Sequence, residues 1–424
     1  MKAGSFSTAI VAGLVSLSIG VMIAAGAIST QHPRKLLAIV LVVGGLLGSR
    51  PFLRRGQLAR LYSAFALMAL NTAVMLLVLE AAATIANATL DSLQPRESVP
   101  PEIAEVGMTE VERSLYVGWM TRPFMGSAIT ISRDGLRETR PLARVAASGD
   151  NPRPIRVFAF GGSTMWGEGA ADDQTIAAHV QSILSERTGH PVLVTNFGQR
   201  AWVSTQSVVK LLLELQKGNV PDVVLFYDGY NEVYAAYATG SVGVPERFVQ
   251  EDNLLGWIKS LAAKTDTVIL LKRMLQPGRD AASSDREVQV SPQEIVEAYR
   301  RNYLMVGALA EKFGFERLFY WQPQLVTGKK PLALEEQDIL EHHKWLPQPV
   351  RSLTKSTYAE VAALSLTHGD LVDLSDALDS VVERVYIDPC HVNGRGNSYI
   401  ADAMVERGLL RVVRARIASH EASR

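Results

Sequence analysis

The chain has 424 residues and 46.2 kDa, room for two or three structural units at roughly 150 residues each. Hydrophobic residues make up 47% and charged residues only 20%, below the ~25% of an ordinary soluble domain, so part of the chain is expected to sit in lipid. Basic and acidic residues both number 43, which argues against a uniformly basic nucleic-acid binder, and the single cysteine, Cys390, excludes an internal disulfide and a CxxC zinc site.

That neutrality hides an asymmetry. Residues 1–90 carry seven basic residues and one acidic, and the remainder carries 36 and 42. Phe6–Ile28 is a run of 23 residues without a charge, and Leu61–Leu79 gives another 19; both are long enough to cross a hydrocarbon core of roughly 30 Å. Between them Leu36–Gly48 is apolar but only 13 residues long, a short tilted span or a re-entrant piece, so two or three spans are expected. In either arrangement Arg50, Arg54, Arg55 and Arg60 lie on the inner side, and everything after about residue 90 faces outward. In a bacterium this is an inner-membrane, multi-pass anchor with a periplasmic domain.

Residues 91–154 open with Gln94-Pro95 and Pro100-Pro101, a linker composition. The alternating run 128–132 then ends at Asp134-Gly135, which predicts a small β appendage. From 155 the pattern becomes strand and helix in alternation. Strands are expected at Ile155–Phe160, Val192–Phe197, Val223–Tyr227, Arg317–Trp321 and Leu371–Leu374. Helices are expected at Gln174–Leu184, Ser204–Gln216, Pro292–Phe313, Tyr358–Leu366 and Gly396–Ile417. Five parallel strands with helices on both faces make a three-layer α/β/α sandwich with flavodoxin-like winding, interrupted by insertions at about 235–290 and 328–351.

Ligands of an open parallel sheet bind beyond the carboxyl ends of its strands. Four such places carry suggestive groups: Gly161-Gly162-Ser163-Thr164, Phe197-Gly198-Gln199, Asp228-Gly229-Tyr230-Asn231-Glu232, and Asp388-Pro389-Cys390-His391. A serine hydroxyl needs an imidazole to take its proton, and the imidazole needs a carboxylate to fix its tautomer; Ser163, His391 and Asp388 supply that set. Backbone N–H groups at Ser163 and Gly198 and the Asn231 amide are candidate oxyanion donors. Met165 stands where a Gly-x-Ser-x-Gly elbow needs its last glycine, which disfavours an α/β-hydrolase fold.

In order, spacing and strand context these four blocks resemble the SGNH hydrolase superfamily, the GDSL-type esterases, over roughly residues 155–418. The resemblance implies Ser163 as nucleophile, Gly198 and Asn231 as oxyanion donors, His391 as general base and Asp388 as its orienter, with no cofactor. Two positions depart from the family pattern: Gly162 replaces the acidic residue of the GDS form, and Glu232 replaces the aspartate after the Gly-x-Asn glycine and asparagine.

The other readings are plainer. Cys390 suits a small buried filler, His342-His343 lacks partner ligands for a metal, and Gly167-Glu168-Gly169 lacks the third glycine of a dinucleotide fingerprint. Trp166, Trp202 and Tyr230 are candidates for a sugar-stacking platform or for wall packing. The expectation is a membrane-anchored serine esterase removing an acyl group, acetyl above all, from a periplasmic saccharide or lipid-linked glycan. The alternatives are an O-acyltransferase onto a polysaccharide hydroxyl, with polysaccharide biosynthesis or export partners, and a non-catalytic glycan-binding module.

Overall fold

The computed structural model describes residues 78–90, 99–140, 153–246, 265–275, 288–343 and 345–422, with Met68, Asn71 and Met75. Among the described residues no helix is long and apolar enough to cross a membrane. The expected segments Phe6–Ile28 and Leu36–Gly48, and most of Leu61–Leu79, lie outside the described residues.

The chain divides into two compact units. In the smaller, helix 78–90 is joined to Asp266–Leu275, a helix from the first long insertion. Glu80 caps the latter from a distance, accepting from the N–H groups of Asp266 (2.6 Å) and Thr267 (3.0 Å) and from the Thr267 hydroxyl (2.6 Å). Thr84 Oγ1 donates to Asp266 Oδ2 at 2.7 Å, and Asn87 Nδ2 donates to the Asp266 carbonyl at 3.0 Å.

The larger unit holds the sheet. Its first strands form two small antiparallel hairpins, β1 Val111–Ser114 with β2 Gly118–Thr121, and β3 Phe124–Met125 with β4 Thr130–Ile131. Five parallel strands follow: β5 Ile155–Gly161, β6 Val192–Asn196, β7 Val223–Asp228, β8 Glu316–Trp321 and β9 Leu371–Asp373. Their spatial order is β6-β5-β7-β8-β9, so the topology reverses between β5 and its two neighbours. That reversal opens a crevice at the carboxyl ends of the strands.

Alternation along each strand sorts the side chains onto two faces. One carries Val157, Ala159, Val194, Leu225 and Leu318. It is covered by α2 Ile176–Thr188 and by the closing helices α8 Gly394–Met404 and α9 Leu410–Ala422. The other face is aromatic: Phe160, Phe226 and Phe319 are paired across three strands and stack at ring-centroid distances of 5.2 and 4.8 Å. Helices α3 Ser204–Gln216, α5 Pro292–Phe313 and α7 Gln348–Ser365 cover it. Three further helices follow strands along the chain: α1 Ser163–Trp166 after β5, α4 Tyr230–Thr239 after β7 and, in the second insertion after β8, α6 Leu334–His342.

The three-layer sandwich agrees with the reading of the sequence, and the sheet strands fall within about a residue of the expected ends. The closing helix differs. It is expected as one element over Gly396–Ile417, but Gly408, with φ of 118°, breaks it, and α9 starts afresh at Leu410.

The β segment differs more. It reads as an appendage in the sequence, yet Arg137 forms a bridge to Asn196 on the edge strand β6 and is itself fully buried. Its guanidinium donates to Asp172 Oδ1 (3.0 Å), the Gly167 carbonyl (2.6 Å) and the Ala170 carbonyl (2.5 Å). Gln199 is held in the same way, accepting from Thr121 N–H at 2.9 Å and donating to the Gly135 carbonyl at 2.8 Å. Residues 99–140 therefore form part of the catalytic-end architecture and fix the loops that follow β5 and β6.

Candidate active site

Strand β5 ends at Gly161, whose φ of 157° allows an approach in which a Cβ would lie 2.3 Å from the Tyr227 carbonyl. The next turn begins α1 and presents Ser163 at the carboxyl edge of the sheet. Far along the chain, Asp388–His391 forms a tight turn closed by its own carboxylate: Asp388 Oδ1 accepts from the N–H groups of Cys390 (2.9 Å) and His391 (2.8 Å). The same turn places Asp388 Oδ2 2.5 Å from His391 Nδ1, and His391 Nε2 2.6 Å from Ser163 Oγ. The structure thus brings Ser163, His391 and Asp388, up to 228 residues apart in sequence, into one hydrogen-bonded row.

The row is nearly dry, with Ser163 8% and His391 4% exposed. Burial pushes the imidazole down, but the Asp388 charge, followed by the Cys390 contact and the Asp388 hydrogen bond, outweighs it, so His391 is held well above its ordinary value. Burial raises the Asp388 carboxyl, but the charge of His391 and three hydrogen bonds bring it below the usual carboxylate range. Both shifts favour the ion pair that forms when the imidazole takes a proton from Ser163.

The Asn231 amide lies at the start of α4 and donates to the Trp202 carbonyl at 2.8 Å, which leaves its second N–H for an oxyanion. Gly162 lies against that amide: a Cβ there would meet Asn231 Nδ2 at 2.3 Å. The departure from the GDS form therefore has a steric cause in this chain. Glu232, the second departure, is buried and accepts from Ser204 N–H at 2.6 Å, heading α3. Burial and the neighbouring Asp228 disfavour a second charge there; Glu232 is raised to about 7, chiefly by burial.

Gly198 does not take the place expected of it. Its N–H donates to Asn196 Oδ1 at 2.9 Å, and its missing side chain allows the turn to pack on Trp166 N, which a Cβ would meet at 2.5 Å. The backbone N–H groups of this turn that donate to none of the described residues are those of Arg200 and Ala201, and Ala201 holds a left-handed φ of 61°. An alanine carries no sequence signal for such a conformation, so the residue could not be picked out beforehand.

The aromatic platform also needs correction. Trp166 and Trp202 are fully buried and Tyr230 is 5% exposed, so they form walls rather than a stacking face. Trp202 Nε1 donates to the Trp119 carbonyl, and Tyr230 donates to the Trp345 carbonyl at 3.1 Å. The aromatic residue that flanks the site half-exposed is Trp345, from the second insertion, with its ring centroid 6.5 Å from that of His391. Nothing in its sequence neighbourhood marks it.

Among the described residues Asp388, Cys390 and His391 form a group whose possible metal-ligand atoms lie within 4.8 Å of one another. The donor chemistry is that of a proton relay instead: the Asp388 and His391 atoms are already bonded to each other, and burial above all pushes the Cys390 thiol up to about 12, so it stays protonated.

No protein-family model and no curated protein matches the sequence. Similar solved structures include an acetylxylan esterase of Geobacillus stearothermophilus, at 13% identity and a TM-score of 0.34, covering 60% of this chain and 93% of that one. Another is a second acetyl xylan esterase at 17% identity and a TM-score of 0.34, covering 59% and 98%. A member of the lipolytic protein G-D-S-L family from Veillonella parvula is similar at 11% identity and a TM-score of 0.33, covering 59% and 97%. Acetylxylan esterases and G-D-S-L lipolytic proteins are therefore among the solved structures to which this chain is similar.

Proposed function

We propose that this chain is a serine esterase of the SGNH type that removes an acyl group, acetyl first among them, from a saccharide of the cell envelope. The observation that carries the reading is the continuous Ser163–His391–Asp388 row at 2.6 and 2.5 Å. Ser163 Oγ attacks the ester carbonyl as its proton passes to His391 Nε2, and Asp388 stabilises the imidazolium. The tetrahedral oxyanion is met by the free N–H of the Asn231 amide, with backbone donors at Ser163 and Ala201. His391 returns its proton to the departing sugar oxygen, then takes one from the water that attacks the acyl-serine, which releases the acid and restores Ser163.

The membrane anchor belongs to the same proposal. It is supported by the charge-free runs Phe6–Ile28 and Leu61–Leu79 and by the basic cluster between them, and it directs the domain to substrates at the bilayer surface. A sugar hydroxyl in place of water would make the same intermediate serve O-acyl transfer. The observation favouring that reading is Trp345, which the second insertion brings beside His391, where an acceptor would dock.

The test uses the full-length chain in detergent with p-nitrophenyl acetate and an acetylated oligosaccharide, with products followed by mass spectrometry. Turnover abolished in Ser163→Ala with free acetate as product supports the esterase. Acetylated acceptor sugar moves the assignment to transfer. Turnover that survives Ser163→Ala overturns both.

A further inference from the structure

The run Gly167-Glu168-Gly169 has no part in the acyl-transfer row, yet its geometry aims at it. Both glycines are left-handed, with φ of 92° and 87°, and Glu168 N–H donates to the Ser163 carbonyl at 3.0 Å. The result is a carboxylate oxygen, Glu168 Oε2, 4.0 Å from His391 Nε2, the atom that handles the leaving-group proton. Arg200 holds this carboxylate by two bonds, Nε to Oε2 at 3.0 Å and Nη2 to Oε1 at 3.3 Å. The remaining Arg200 nitrogen, Nη1, reaches the Val106 carbonyl and Thr109 Oγ1, each at 3.4 Å. Both side chains of the pair are only about one-fifth exposed, and Trp345 flanks His391.

Resting on the esterase reading above, we propose that Glu168, oriented by Arg200, and Trp345 form a sugar-recognition subsite for a neutral glycoside that carries a free hydroxyl next to the acylated oxygen. When the ester is cleaved its sugar oxygen must lie at His391 Nε2 to receive the proton, so the neighbouring ring hydroxyl falls within reach of Glu168 Oε2. A carboxylate is acceptor-only and suits a hydroxyl donor. The Arg200 fork is already spent on Glu168, so it offers no cradle for a substrate carboxylate, and Glu168 itself repels an anionic sugar. Trp345 supplies the apolar face on which a pyranose ring rests. Glu168 is here a specificity residue of the substrate site, and Arg200 a positioning residue acting through it.

The experiment compares kcat and KM of the full-length chain and its Glu168→Gln and Trp345→Ala variants. Three esters are used: p-nitrophenyl acetate, partially acetylated xylo-oligosaccharides and partially acetylated oligogalacturonate. The unaltered chain should prefer the neutral saccharide to the anionic one. Glu168→Gln should lower kcat/KM on the neutral saccharide about 10- to 100-fold, the range of a lost hydrogen bond to a charged acceptor, mostly through KM. It should affect p-nitrophenyl acetate far less and narrow the gap between neutral and anionic sugars. Trp345→Ala should raise KM for both saccharides and leave that gap in place.

An equal loss on all three esters in Glu168→Gln would mean that the carboxylate serves the triad alone and would overturn the subsite. So would equal turnover of the two saccharides by the unaltered chain, or serine-dependent turnover of p-nitrophenyl acetate with none of the neutral saccharide. Absence of any Ser163-dependent turnover would instead remove the esterase reading beneath it.

Discussion

Replacing Gly162 by alanine tests the oxyanion geometry with one methyl group. The backbone at this position is extended, φ −83° and ψ −154°, a conformation open to any residue, so the substitution brings no backbone strain. Its Cβ, however, would lie 2.3 Å from Asn231 Nδ2, well inside the ~3.5 Å of touching heavy atoms. The amide must retreat by about 1 Å on that scale and lose its aim, together with the 2.8 Å bond to the Trp202 carbonyl that fixes it. Loss of one oxyanion donor costs about 10²- to 10³-fold in kcat, roughly 3–4 kcal/mol of transition-state stabilisation. Asn231 is half-buried and can swing outward, so thermal stability should fall by no more than about 1 kcal/mol. The assay is steady-state hydrolysis of p-nitrophenyl acetate with a melting curve alongside. Because both changes act on the same donor, Gly162→Ala combined with Asn231→Ala should be no slower than Asn231→Ala alone. A kcat within threefold of the unaltered chain, or additive losses in the double variant, would refute the reasoning.

Three further outcomes follow from the same geometry. As general base His391 must be neutral, so its raised value should set the acid limb of the kcat/KM profile above pH 6.5; Asp388→Asn, which removes the largest influence opposing burial, should move that limb downward and lower kcat by up to about 10⁴-fold. Glu232 has a folded-state value of about 7 against 4.5 in the unfolded chain, so its stabilising contribution is present below pH 4.5 and is lost as pH rises to about 7. Urea unfolding across this range should show a shallower decline of stability with pH in Glu232→Gln. Arg137→Met strands Asp172 without its buried partner and removes a donor from three carbonyls of the loop after Ser163, those of Trp166, Gly167 and Ala170, at a cost of about 3–5 kcal/mol in melting experiments; a loss under 1 kcal/mol would show that the clamp is dispensable.

The sequence alone reached the sheet because its signals are local. Runs such as Val223–Tyr227 can be satisfied only in a strand buried on both faces, and their alternation with helical spacing leaves little choice but a parallel sheet. It also reached Ser163, Asn231, Asp388 and His391, since each lies just past a strand or just before the last helix, where this architecture must place its chemistry. The ends of short elements and the break at Gly408 were less legible, because helical periodicity runs on through a single left-handed residue.

What the sequence could not determine is which groups face one another. Gly198 carries the expected residue type, but its turn packs closely on Trp166 and its N–H goes to Asn196, while Ala201, with no glycine to announce it, holds an open donor. Trp166 and Trp202 carry the right chemistry for a sugar platform, and only packing shows them buried while Trp345, from an insertion without a motif, lies beside His391. The same holds for Glu168 and Arg200, whose pairing crosses 32 residues and becomes a feature of the site only when the chain has folded. Periodicity and spacing record the interactions a segment makes with itself and with any core. The direction of one side chain toward another is decided by tertiary packing, which no local pattern encodes.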